Sequence, residues 1–72
     1  MKIDIVPIQA ELQELSGEEQ VRVRLDRKIN VSCSIRQTDV KPQYVIRLNP
    51  TRIKSQRQLD SQLNTCRQVI AN

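Results

Sequence analysis

From Gln20 to Asn49 the chain alternates apolar and polar residues with a period of two. Val21, Val23 and Leu25 alternate with Arg22 and Arg24. Ile29, Val31, Cys33 and Ile35 alternate with Asn30, Ser32 and Ser34. Tyr44, Ile46 and Leu48 alternate with Val45 and Arg47. Successive side chains of an extended strand point to opposite faces, so the pattern predicts three strands, each buried on one side and wet on the other.

Parity constrains how such strands can pair. A two-residue loop at Arg27-Lys28 would set Leu25 against Asn30, apolar against polar. A three-residue loop, Asp26-Arg27-Lys28, pairs Leu25 with Ile29, Val23 with Val31 and Val21 with Cys33, and keeps one apolar face. Thr38 to Pro42 reads as the second loop, pairing Ile35 with Tyr44, Cys33 with Ile46 and Val31 with Leu48. The expectation is a three-stranded antiparallel meander. Its other face carries Gln20, Arg22, Arg24, Asn30, Ser32, Ser34, Arg36, Gln43, Arg47 and Asn49, with Val45 the one apolar member. Four arginines and no carboxylate stand on that face.

The flanks read as helices. Ile3 and Ile5 alternate with Lys2 and Asp4, which suits a short N-terminal edge strand. Ile8, Leu12 and Leu15 then form one stripe of a helix over Pro7–Ser16, and Gly17, the chain's one glycine, ends it. A longer first strand running into a loop is the rival reading. Pro50 cannot donate to a ladder and closes the third strand. Ser55 and Gln58 match a capping box, which opens a helix from Gln56 to about Ala71. Leu59, Leu63, Cys66 and Ile70 line one side of it, widened by Val69, and should cover the apolar side of the sheet. The whole is a single small α+β domain over residues 1–72. With Tyr44 the only aromatic residue, aliphatic packing must supply a modest core, which a second copy of the chain would extend.

Charge is distributed unevenly. Residues 1–19 hold one lysine against five carboxylates, whereas residues 20–72 hold eleven Lys/Arg against three Asp. An acidic lead and a basic body suit an anionic partner or head-to-tail contact between copies. The chain has no histidine, which excludes Ser-His and Cys-His arrangements, and two cysteines offer no zinc site of known spacing. One glycine cannot build a phosphate-cradling loop. Glutamate pairs such as Glu11 and Glu14 read as solvated charge. The expectation is therefore a protein with no catalysis, cofactor, metal or small-molecule substrate. No leader-like segment or apolar run of membrane length is present, and Cys33 and Cys66 read as buried thiols acting as small apolar residues, the alternative being a strand-to-helix disulfide that would need an oxidising compartment; a cytoplasmic setting is expected.

The order helix, three antiparallel strands, helix resembles the double-stranded-RNA-binding domain at the level of topology. That family's contacts come from a Lys-rich start to the last helix, where this chain has Lys54, Ser55, Gln56, Arg57 and Gln58, without the family's glycines or Lys-Lys pair. A strand ending Ile46-Arg47-Leu48-Asn49-Pro50 before a helix is also similar to small zincin metallopeptidases. The helix here carries Leu63 to Val69 where that family has its His-Glu-x-x-His ligands. Neither resemblance transfers a site residue.

What remains is the basic face. Guanidinium forks bind phosphate oxygens in pairs, and hydroxyls and amides can add donors to phosphate or sugar. Arg22, Arg24, Arg36, Arg47, Ser32 and Ser34, with Lys54 beyond the sheet, form the candidate nucleic-acid-binding set. Tyr44 points inward, which argues against single-strand binding by stacking and leaves backbone contacts to a duplex, or a two-stranded ribbon from a dimer set in a major groove. Two other readings compete. The face could dock an acidic protein, including the glutamates of a second copy, or its arginines could be ordinary solvated strand residues that discourage aggregation.

Overall fold

The computed structural model describes residues 1–71. Its elements are α1 (Ile5–Ser16), β1 (Val21–Leu25), β2 (Cys33–Gln37), β3 (Tyr44–Leu48) and α2 (Gln56–Ala71). The α+β class holds. The meander does not, because the strand order is β1-β3-β2. β3 is inserted between the other two, parallel to β1 and antiparallel to β2.

The composition of β3 suits that position. A central strand has neighbours on both sides, and β3 is the strand whose Tyr44, Ile46 and Leu48 are all buried. β1 and β2 are left as edges. The expected β1–β2 hairpin is therefore absent, and residues 26–32 instead span the width of β3. Ile29 and Val31 never join a strand, and Val31 is half exposed. The β2–β3 register also moves by two residues, to Cys33 with Leu48, Ile35 with Ile46 and Gln37 with Tyr44. The Thr38 N–H donates to the Gln43 carbonyl at 2.8 Å, which shortens the loop and produces that move. A two-residue shift preserves parity, so every residue of these strands keeps its expected face.

One buried side chain holds the crossing in place. Asn49, directly after β3, is 1% exposed. Its amide donates to the Ile29 carbonyl at 2.9 Å and to the Arg27 carbonyl at 3.4 Å. Its Oδ1 accepts from the Thr51 N–H at 3.0 Å. Its own N–H donates to the Ser32 carbonyl, and its carbonyl accepts from Arg52 and Ile53. Asn49 thus ties the 26–32 crossing to the turn that leads into α2.

Both helices contribute to one core. In α1, Asp4 caps the first turn by accepting from the Val6 N–H at 3.1 Å, and Pro7 falls in that turn, where no intrahelical donor is needed. Gly17 takes φ 69°, open to glycine at little cost, and its N–H donates to the Glu14 carbonyl. The helix begins two residues before Pro7, so the proposed N-terminal edge strand does not form. Ile3 is nevertheless buried in the core. Leu12 is buried and Ile8 partly so, while Leu15, expected on the same stripe, is 45% exposed.

In α2 the expected stripe is the buried one: Leu59, Leu63, Cys66 and Ile70. Burial of each Leu or Ile contributes about 1.5–3 kcal/mol before entropy is counted. The cap is half of the expected box. Ser55 Oγ accepts from the Gln58 N–H at 3.1 Å, but the Gln58 side chain reaches past Ser55 to accept from the Lys54 N–H at 2.8 Å.

Glutamines of α1 close one sheet edge. Gln13 Oε1 accepts from the Val21 N–H at 2.9 Å, Gln9 Oε1 accepts from the Val23 N–H at 2.6 Å, and Gln9 Nε2 donates to the Val21 carbonyl. These side chains supply ladder bonds that another strand would otherwise make. Glu11 of α1 also forms a two-point ion pair with Arg67 of α2, with Arg67 Nη2 3.1 Å from Glu11 Oε1.

Candidate nucleic-acid interface

Insertion of β3 brings the arginines closer than a meander would. On the face away from the helices, Arg22, Val45 and Arg36 form one row across the three strands, in the register of the ladder. Arg24, Arg47 and Ser34 form the next. Arg24 and Arg47 are thus direct cross-strand partners. Rows on one face lie about 6–7 Å apart along a strand, and neighbouring strands lie about 5 Å apart. Four guanidinium groups therefore share a patch roughly two rows deep.

Like charges placed opposite each other on a sheet destabilise it. Only part of this repulsion is relieved. Asp26, just past β1, stands 3.7 Å from Arg47, and both side chains remain about a third exposed. Arg22, Arg24 and Arg36 are exposed and make no ion pair among the described residues. Arg22, Arg24, Arg47, Val45, Leu25 and Pro42, with the Asp26 carboxylate among them, line an open concavity of about 450 Å³ on this face. Val45 and Leu25 give it an apolar floor between cationic walls.

Two members of the candidate set lie elsewhere. Ser32 falls in the crossing rather than in β2, and its hydroxyl accepts from Gln62 Nε2 of α2 at 2.8 Å. Lys54 precedes α2 and shares a shallow concavity with Arg27, Lys28 and Arg52, beyond the carboxyl ends of the parallel strands β1 and β3. That second cationic cluster was not legible in the sequence, because its two halves are 24 residues or more apart and meet only through Asn49. Asn49 itself, read as a polar surface donor, has both side-chain groups engaged internally. Gln43 is also engaged, with its Oε1 accepting from the Gln20 N–H at 2.9 Å.

The other titratable groups serve the fold. Hydrogen bonding from Arg67 holds the Glu11 carboxyl below its usual range, against a small opposing effect of burial. The Tyr44 ring is buried, and its hydroxyl is pushed above the usual phenol range by desolvation and by Glu19. Cys33 of β2 and Cys66 of α2 face each other with sulfurs 3.9 Å apart. The bond between the thiols lowers Cys33 and raises Cys66, and burial raises both.

Among the described residues no cluster of three or more His, Cys, Asp or Glu could hold a metal, and no helix is long and apolar enough to cross a membrane. The double-stranded-RNA-binding likeness ends at element order, since its antiparallel sheet is replaced by a mixed one. No family model matches the chain, no curated protein matches it, and no solved structure matches it.

Proposed function

We propose that this chain is a small non-catalytic binding protein that contacts the sugar–phosphate backbone of a nucleic-acid duplex through Arg22, Arg24, Arg36 and Arg47, with Ser34 beside them. The observation that carries this reading is the direct pairing of Arg24 with Arg47 in register, flanked by Arg22 and Arg36. A fold gains nothing from concentrating like charge at cross-strand positions. A row of phosphates would neutralise it, with charge-assisted hydrogen bonds to each guanidinium. The face has no exposed aromatic on which a base could stack, which favours a duplex backbone over a single strand.

The test is the salt dependence of duplex binding by fluorescence anisotropy. Engagement of up to four phosphates gives a slope of log K against log salt of about −3 to −4. The variant with Arg22, Arg24, Arg36 and Arg47 all changed to Gln should lose binding and the slope, while melting no lower than the parent because cross-strand repulsion is gone. If that variant binds duplex as the parent does, the sheet face is not the interface.

A further inference from the structure

The two edges of the sheet are treated differently. The outer edge of β1 is occupied at Val21 and Val23 by Gln9 and Gln13. Nothing among the described residues occupies the outer edge of β2. The ladder shows which groups point outward there. The Thr38 N–H donates to the Gln43 carbonyl, and the Asn49 N–H donates to the Ser32 carbonyl. In an antiparallel pair, hydrogen-bonded and non-hydrogen-bonded positions alternate. Ser34 and Arg36 therefore bond to β3, while Cys33, Ile35 and Gln37 present their N–H and C=O groups to solvent along β2.

We infer that β2 is a homodimer edge, pairing antiparallel with β2 of a second copy about a two-fold axis at Ile35. A two-fold axis needs a self-complementary strand, and β2 is one. Centred on Ile35, the outward-facing positions meet one another: Ile35 with the second copy's Ile35, and Cys33 with its Gln37. Each pair exchanges two backbone hydrogen bonds. On the open face Arg36 then falls opposite Ser34 of the other copy, so no cation faces a cation across the new seam. On the helix side the Ile35 side chains, each only partly buried in one copy, meet and extend the core. Neither β2 nor its edge carries the proline, lysine or bulge that commonly blocks strand addition.

The product is one six-stranded sheet on which the two arginine patches are continuous. It doubles the cationic surface, and of the proposed nucleic-acid contact only Ser34 and Arg36 flank the seam, with their side chains on the open face. Dimerisation is a separate claim from nucleic-acid binding, and it is measured with the protein alone.

The experiment is sedimentation equilibrium of the purified chain over a wide concentration range, at moderate and high salt. A dimer that persists in high salt is expected, because backbone bonds and Ile35 hold it rather than charge. Gln37→Pro removes an outward N–H and no ladder bond to β3, and proline is tolerated at such a position of an edge strand. It should raise the dimer dissociation constant by about 10- to 100-fold, whereas Gln37→Ala should leave it unchanged. Should Gln37→Pro unfold, amide hydrogen exchange of the parent decides the matter: Ile35 and Gln37 amides must become protected as concentration rises. A monomer at every concentration overturns the inference. So does a dimer in which the Ile35 and Gln37 amides exchange as freely as in the dilute protein.

Discussion

Changing Asn49 tests the crossing on which the strand order depends. The side chain is 1% exposed, and it makes two well-formed hydrogen bonds, from Nδ2 to the Ile29 carbonyl at 2.9 Å and to Oδ1 from the Thr51 N–H at 3.0 Å. The 3.4 Å contact with the Arg27 carbonyl adds little. Asn49→Ala removes both good bonds and strands their partners. With about 1–3 kcal/mol for each buried group left unpaired, and some access of water to the 26–32 loop, the expected loss is about 2–4 kcal/mol. A 72-residue domain is stable by about 4–11 kcal/mol, so this is a large share. Urea unfolding followed by far-UV circular dichroism reads it directly, and melting should fall by about 10–30 °C. Asn49→Asp sharpens the test. At neutral pH a carboxylate would face the carbonyls that the amide now serves, so this variant should be weaker than Asn49→Ala. Burial and those carbonyls raise its folded pKa above the unfolded value of about 3.9. The folded state then binds the extra proton, and stability relative to Asn49→Ala recovers as pH falls through the raised value. If Asn49→Ala lies within about 0.5 kcal/mol of the parent, or Asn49→Asp tracks Asn49→Ala at every pH, Asn49 does not hold the crossing.

The Glu11–Arg67 pair should contribute less than about 1 kcal/mol, since both side chains are more than a third exposed. Because Arg67 depresses the Glu11 carboxyl below its ordinary 4.5, that contribution is full above the unfolded value and is lost as pH falls through the folded one. Thermal melts of Glu11→Gln against the parent should differ slightly at pH 7 and converge in acid, and a gap that widens in acid refutes the pairing. The sulfurs of Cys33 and Cys66, 3.9 Å apart, should couple when treated with hydrogen peroxide. Cys33 thiolate takes the peroxide oxygen and releases hydroxide, which picks up the proton the thiol gave up, and the Cys66 thiol then displaces water from the sulfenic acid to close the disulfide. Closure should add about 3–4 kcal/mol of stability. Free thiols that survive peroxide, or a cross-link only between chains, would refute the geometry.

Alternation reports which face a residue takes, and it reported this correctly within β1, β2 and β3 except at the end of β1, where Leu25, expected in the core, is 38% exposed and lines the arginine concavity. It carries no information on which strands are neighbours. A hairpin of β1 with β2 and a mixed sheet with β3 between them satisfy the same parity, because both place Val21, Val23, Ile35 and Ile46 on one side. The deciding signals were weaker. β3 had Val45 on its outer face where the other strands had only polar residues, which marks the strand best suited to a central position. The residue after β3 was an asparagine, able to donate and accept at once, and it completes the crossing. The glutamines of α1 were also silent in the pattern. Gln9 and Gln13 recur at helical spacing on what looks like a wet side, and their use as substitute ladder partners appears only when β1 is seen to be an edge.

The same distinction between face and neighbour separates the candidate residues. Arg22, Arg24, Arg36, Arg47 and Ser34 lie within strands, where parity determines direction, and all five reach the open face. Ser32 obeys the same parity but sits one residue before β2 begins, so its hydroxyl turns to Gln62. Asn49 lies one residue past β3 and turns inward. Parity therefore fails at strand ends, where the backbone leaves the pleat. It cannot show that Arg24 and Arg47 are adjacent either, since that follows from the insertion of β3. The charge density of the patch is thus a property of strand order as much as of composition. In the meander, β2 would have separated those two arginines. With β3 between the edges they share a rung, and that repulsive rung is the strongest physical reason to expect an anion on this face.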